Sequence, residues 1–251
     1  MTTSDIPATA PPPPPAPGPK PNGFQRIIGV LISPDETFAS IARQPDFLAP
    51  LLIILILSAI GGYIFAQRVD FTAAAREAME ERGNMSEAQM ESALKITATV
   101  SKIIGYGSPV VSLISLLIIA GVLLLAFRMM GGEGTFKQAF SVTLYAWMPL
   151  VIFYIVMDVI IASKTGITVL DLPTLVMSNP AFLVTMKEHP LLFALLAAID
   201  IFAIWSLVLF IFGFSHVSRF SKSKSAAIVI TVWVIWTCIR LIGPAIRALK
   251  G

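Results

Sequence analysis

Three ionisable residues of this 251-residue chain stand where charge is costly: Asp158, Asp200 and Arg240 each fall inside a long apolar run. A charge at the centre of a bilayer costs about 2.5–3.5 kcal/mol on insertion scales, so such groups turn toward a protein interior and pair. A guanidinium fork bonding the Asp200 carboxylate, with Asp158 as an outer partner, is the first chemistry these residue types suggest. Two roles fit that pair: an ion pair that locks a helical bundle, or a polar cavity that admits an ion, a proton or a lipid headgroup. Acid catalysis by two carboxylates sharing one proton is the third. It fails on context, because Met157-Asp158 and Ile199-Asp200 lack the tyrosine and glycine surroundings of intramembrane aspartyl proteases, and Arg240 would keep both acids ionised.

Other reactive constellations are missing from the sequence. There is no H-E-x-x-H or G-x-S-x-G string, and His189 and His216 fall at opposite ends of one apolar run, too far apart to share a metal. Gly131, Gly132 and Gly134 make a tight turn, but Lys137 is followed by Gln138 where a phosphate-cradling loop needs Ser or Thr. Cys238, the one cysteine, cannot form an intrachain disulfide and reads as a small buried residue. The net charge of +3 is too small and too dispersed for nucleic acid, and no aromatic and basic residues interleave. No catalytic residue, cofactor or metal site is assigned.

The elements that position the three charges follow from composition. The chain is 56% hydrophobic and 13% charged, against roughly 25% charged in a soluble domain. Apolar runs of the ~20 residues needed to cross a bilayer recur, which predicts an all-α, polytopic membrane protein with five transmembrane helices. The spans are expected at residues 47–66, 109–127, 139–162, 191–214 and 226–246. On these boundaries, Asp200 lies ~14 Å, Arg240 ~9 Å and Asp158 ~6 Å below the outer ends of their helices. Pro149 falls mid-span in the third and is expected to kink it. Ser58 with Gly62, and Ala194 with Ala198, are small residues that let helices approach closely.

Two segments outside the spans are patterned. Phe24, Ile27, Ile28 and Leu31 share one helical face with Gln25 and Arg26 opposite, which predicts an interfacial helix. Ser33 with Glu36 forms a capping-box pattern that opens a second short helix carrying Phe38 and Ile41. Between the first two spans, residues 67–102 form the most polar stretch. Gly83-Asn84 interrupts it and Ser86 with Gln89 can cap its second half, so a helical hairpin is expected, with Met79, Met90, Ala93 and Leu94 on its apolar side. These methionines pack rather than bind metal, since no Cys or His is near them.

Residues 1–22 form a proline-rich tail with no apolar core. It reads as disordered and partly polyproline II, able at most to offer a PxxP ligand to an SH3-like or WW-like partner. Residues 23–251 form the membrane domain. Arg128 and Lys137 flank one short loop, and Arg219, Lys222 and Lys224 fill another without an acid. Positive residues mark cytoplasmic loops, which puts the N-terminus in the cytoplasm. Arg247 and Lys250 then face outward, against the rule.

The entry helices with Leu31, Ser33-Pro34 and Phe38, the polar helical insert, Tyr145-Ala146 with Pro149, and Asp200 with Trp205 together resemble the bacterial branch of the Yip1 domain family. The likeness covers roughly residues 24–246. It implies a five-span protein of the bacterial cytoplasmic (inner) membrane, without catalytic activity and with a cytoplasmic N-terminus. Eukaryotic members act in vesicle traffic and contact Rab GTPases, but their DLYGP-like motif is missing here, so a GTPase partner is not carried over. The expected function is a non-enzymatic scaffold or membrane-organising protein whose partners are the lipid bilayer, other membrane proteins or a second copy. A transporter or channel subunit using Asp158, Asp200 and Arg240 is the alternative; no inverted repeat supports it.

Overall fold

A computed structural model describes residues 22–82 and 86–249. The proline-rich tail through residue 21 and the expected turn at Gly83-Asn84 lie outside the described residues. The fold is all-α and polytopic. It opens with α1 (Gly23–Ile32), α2 (Pro34–Arg43) and the long apolar α3 (Leu48–Arg68). After β1 (Val69–Asp70) the polar insert contributes α4 (Thr72–Arg82) and α5 (Glu87–Tyr106), and Gly107 alone joins α5 to α6 (Ser108–Met129). α7 (Phe136–Ala146) and α8 (Met148–Ser163) follow, then β2 (Ile167–Thr168), α9 (Leu172–Leu175), a 3-10 turn at Pro180–Leu183 and α10 (Pro190–Ala197). The chain closes on α11 (Ile201–Ser218) and α12 (Lys222–Ala248).

Side chains at the start of several helices explain where they begin. Asn22 with Gln25, Ser86 with Gln89, and Thr135 with Gln138 form reciprocal capping boxes at α1, α5 and α7. The box expected at Ser33 and Glu36 does not form. Ser33 ends α1 and starts α2 at once, and its backbone (φ −132°, ψ 66°) is not the extended conformation of a capping serine. The Thr37 hydroxyl bonds the Ser33 carbonyl instead, at 2.8 Å.

Four helices, α3, α6, α11 and α12, are long and apolar enough to cross a membrane, and α7 with α8, bent by 41° between them, makes a fifth if the pair is counted as one span. The bend sits at Trp147. Pro149 does not kink one continuous helix; it occupies the first turn of α8, where its missing N–H leaves no bond unmade. The fourth span also differs from expectation. It begins at Ile201 rather than 191, because the chain breaks after Ala197 and Asp200 caps a new helix.

α7 is the axis of the molecule. Every residue from Ala139 to Ala146 is buried, enclosed by α1, α2, α3, α6 and α11. The outer surface is the reverse of a soluble bundle's. Leu52, Ile56 and Ile60 on α3, Val110, Ile114 and Ile118 on α6, and Ile235, Ile239 and Ile242 on α12 form exposed rows at helical spacing. Rows of this length have no favourable contact with water and are satisfied by acyl chains.

α3 meets the junction of α5 and α6 through small residues. Ser58 Oγ lies 2.9 Å from Ser112 Oγ, and Ser108 Oγ donates to the Ser58 carbonyl at 2.6 Å. A Cβ at Gly62 would overlap the Gly105 carbonyl oxygen and Ser108 Oγ, so glycine sets this close approach. At the far end of the spans β1 and β2 pair in parallel, Val69 with Ile167 and Asp70 with Thr168, over a small cluster of Val69, Met157, Ile161 and Ile167.

Candidate functional site

The three charges read from the sequence occupy one layer but do not pair. Asp200 caps α11: its Oδ1 accepts the amides of Phe202 and Ala203 at 2.9 and 3.0 Å, and its Oδ2 accepts the Ser178 hydroxyl. The positive end of a helix compensates such a carboxylate without any guanidinium. Arg240 stands 18 residues past Lys222, and Asp200 18 residues before Ser218, so each lies about 27 Å from the loop joining α11 and α12. Asp158, on α8, rests against Gly61 of α3, where a Cβ would come 2.5 Å from its Oδ2. All three act electrostatically on the Tyr154 hydroxyl. Among the described residues no hydrogen bond or ion pair joins Asp158, Asp200 and Arg240, so the expected Asp200–Arg240 bond is corrected to a helix cap beside a separate guanidinium.

Arg240 opens into a cavity of about 220 Å³ between α10 and α12. Phe193, Ala194 and Ala198 line it from one side and Thr237, Leu241 and Pro244 from the other.

Another polar group, bonded through both terminal guanidinium nitrogens but with its buried Nε left without a hydrogen-bond partner, lies at the start of the spans. Arg26 is only 4% exposed. One guanidinium nitrogen donates to the Gln44 carbonyl at 2.8 Å and to the Asp46 carboxylate; the other donates to Ser40 Oγ at 3.2 Å. The Tyr145 hydroxyl, from the buried α7, donates to the second Asp46 oxygen at 2.5 Å. The Gln138 amide adds a bond to the Ala42 carbonyl at 2.7 Å. This lock fastens α1 and α2 to the bundle.

The interfacial reading of these helices is therefore corrected in part. Phe24 and Ile28 point outward, Ile27 and Leu31 are half-buried on the core, and Phe38 is wholly buried, 3.0 Å from where a Cβ of Gly213 would stand. Arg26, read as part of the polar face, turns inward. Its only sequence signal is a lone arginine in an apolar decapeptide; its partners lie at distant positions that no spacing rule links.

A second polar group borders the same end. Asp35 lies 2.8 Å from both His216 Nε2 and Lys222 Nζ. Those bonds, with Lys222 contributing most, hold its carboxyl below the ordinary value of 3.8. Arg219 pairs with Glu133 at 3.1 Å, and Lys224 Nζ donates to the Met130 carbonyl at 3.2 Å. α2 and the two basic loops thus gather on one face, opposite the α4–α5 insert.

A family model for the Yip1 domain matches residues 28–241. The chain belongs to the Yip1 domain family. Its matched region holds Asp46 and Tyr145 of the lock, the buried α7 and the Tyr154 layer, and ends one residue past Arg240, while Arg26 stands two residues before it. Membrane protein YknW of Bacillus subtilis (strain 168) is 24% identical over 231 residues, covering 90% of this chain and 92% of the relative. No solved structure matches. Among the described residues of this Yip1 domain, no group of three His, Cys, Asp or Glu side chains is arranged to hold a metal.

Proposed function

We propose that this Yip1-domain protein is a non-enzymatic organiser of the bacterial cytoplasmic membrane that holds other membrane proteins at its insert. The observation that carries the reading is on α5. Ile96, Val100, Ile103 and Ile104 are exposed at helical spacing on its outer side, while α3 and α4 pack against α5 elsewhere. Where α3 ends, the Tyr106 hydroxyl accepts the Gln67 amide at 2.8 Å, and Ile96 lies nearly three turns, about 15 Å, before it along α5. An apolar stripe that far past a span has little acyl chain to cover it and suits a partner helix. The length-wide likeness to a bacterial membrane protein supports the cytoplasmic membrane. The gathering of Arg128, Lys137, Arg219, Lys222 and Lys224 on the α2 face supports a cytoplasmic N-terminus and an insert on the outside.

A photoreactive side chain at Ile96 in native membranes tests this against the same probe at Ile118, on the lipid face of α6. Adducts with a defined second protein at Ile96 and none at Ile118 are expected. A chain that crosslinks to nothing at Ile96 overturns the reading.

A further inference from the structure

The cavity between α10 and α12 has the construction of an anionic lipid site. Thr237, Arg240, Leu241 and Pro244 repeat at helical spacing on one side of α12 and face α10 across it. Arg240 has no acid partner among the described residues, since α11 amides and the Ser178 hydroxyl already satisfy Asp200. Pro244 has no N–H to give the Arg240 carbonyl, and the Thr237 hydroxyl makes no hydrogen bond among the described residues. Ala194 and Ala198 keep the α10 wall short, which leaves the space open.

Level and surroundings select the occupant. Arg240 stands level with Asp200, where α11 begins, about 27 Å from the basic loop and so near the far edge of a ~30 Å hydrocarbon core. Leu191, Leu192 and Leu195 of α10 are exposed beside it, which places acyl chains next to the cavity mouth. A guanidinium at this depth, exposed on α12 and without a carboxylate partner among the described residues, is matched by a phosphate whose own tails extend along the apolar wall. Tyr154 and Asp158 on α8 are the other titratable groups of the layer, and Asp158 sits against α3 rather than in the cavity.

We propose that this cavity binds an anionic phospholipid, with the Arg240 guanidinium forking onto its phosphate and the Thr237 hydroxyl as a second donor. The experiment is native mass spectrometry of the full chain in detergent, titrated separately with phosphatidylglycerol, phosphatidylcholine and inorganic phosphate. Phosphatidylglycerol is expected to stay bound, and at least tenfold more weakly on Arg240→Gln. Arg240→Lys, which keeps the charge and loses the fork, should fall between. Ala194→Leu fills the cavity while leaving Arg240 in place; it should lose the lipid as well, which keeps the test decisive if Arg240→Gln does not fold. Equal phosphatidylglycerol binding by Ala194→Leu and wild type overturns the site. Equal binding of phosphatidylcholine, or displacement of the lipid by inorganic phosphate, overturns the anionic lipid as its occupant.

Discussion

The Arg26 guanidinium shows how one buried cation can hold a terminal helix pair onto a membrane bundle. Its Asp46 partner is shared with Tyr145, so the lock depends on three side chains and fails unequally when each is changed. Tyr145→Phe removes one hydrogen bond to a charged group and is expected to cost about 1.5–3 kcal/mol. Asp46→Ala leaves a buried guanidinium uncompensated and should cost more, about 3–4 kcal/mol, whereas Arg26→Met leaves a half-exposed carboxylate that water and Tyr145 still reach and should cost less than Asp46→Ala. Denaturant unfolding of the detergent-solubilised chain reads this order; a more damaging Arg26→Met than Asp46→Ala would refute it. Asp35 gives a pH dependence. Its carboxyl is held below 3.8 by Lys222 and His216, so its contribution to stability is full above the unfolded value and is lost as pH falls through the lowered folded value. Thermal unfolding of wild type and Asp35→Asn should therefore differ above the unfolded carboxylate value of about 4 and converge as pH falls through the lowered folded value. Parallel curves to the lowest pH would remove Asp35 from the account.

At the scale of elements, the breaks matter more than the spans. Asp200 was legible in the sequence as a charge within an apolar run, and the bilayer-length rule placed it in mid-helix; local capping chemistry overrides that rule by ending one helix and starting another. The cap role separates cleanly from an ion-pair role. Asp200→Asn keeps an acceptor for the Phe202 and Ala203 amides and should stay within about 0.5 kcal/mol of wild type, while Asp200→Ala should lose about 1–2 kcal/mol. An Asn variant as damaged as the Ala variant would show that the charge, not the cap, is what counts. The five apolar runs, the polar hairpin and the small residues Ser58 and Gly62 could be read directly, because hydrocarbon thickness and close backbone approach act within one helix turn or one span. The Trp147 bend was half legible: Pro149 marked the place, but only packing around α7 decides that two helices meet there at 41°. The inward turn of Arg26 and the burial of Phe38 were not legible, because both depend on which distant helix faces them.

The whole molecule is a bundle with its oily rows outside, a buried central helix, and two polar ends of different character. The end formed by α2 and the loops at 130–135 and 219–221 carries Arg128, Lys137, Arg219, Lys222 and Lys224, with Asp35 and Glu133 tying the loops to the bundle. The other end carries the insert, the paired β1 and β2 and the Arg240 layer. Counting the bent pair as one span, the chain crosses five times, which puts these ends on opposite sides of the membrane. Impermeant thiol labelling tests this most directly, on single cysteines placed at Ser221 and Glu91 in a Cys238→Ala background. Intact cells should label Glu91→Cys and spare Ser221→Cys, and inside-out vesicles should give the reverse. Labelling of both positions from the same side would contradict the five-crossing fold and the orientation drawn from its basic loops.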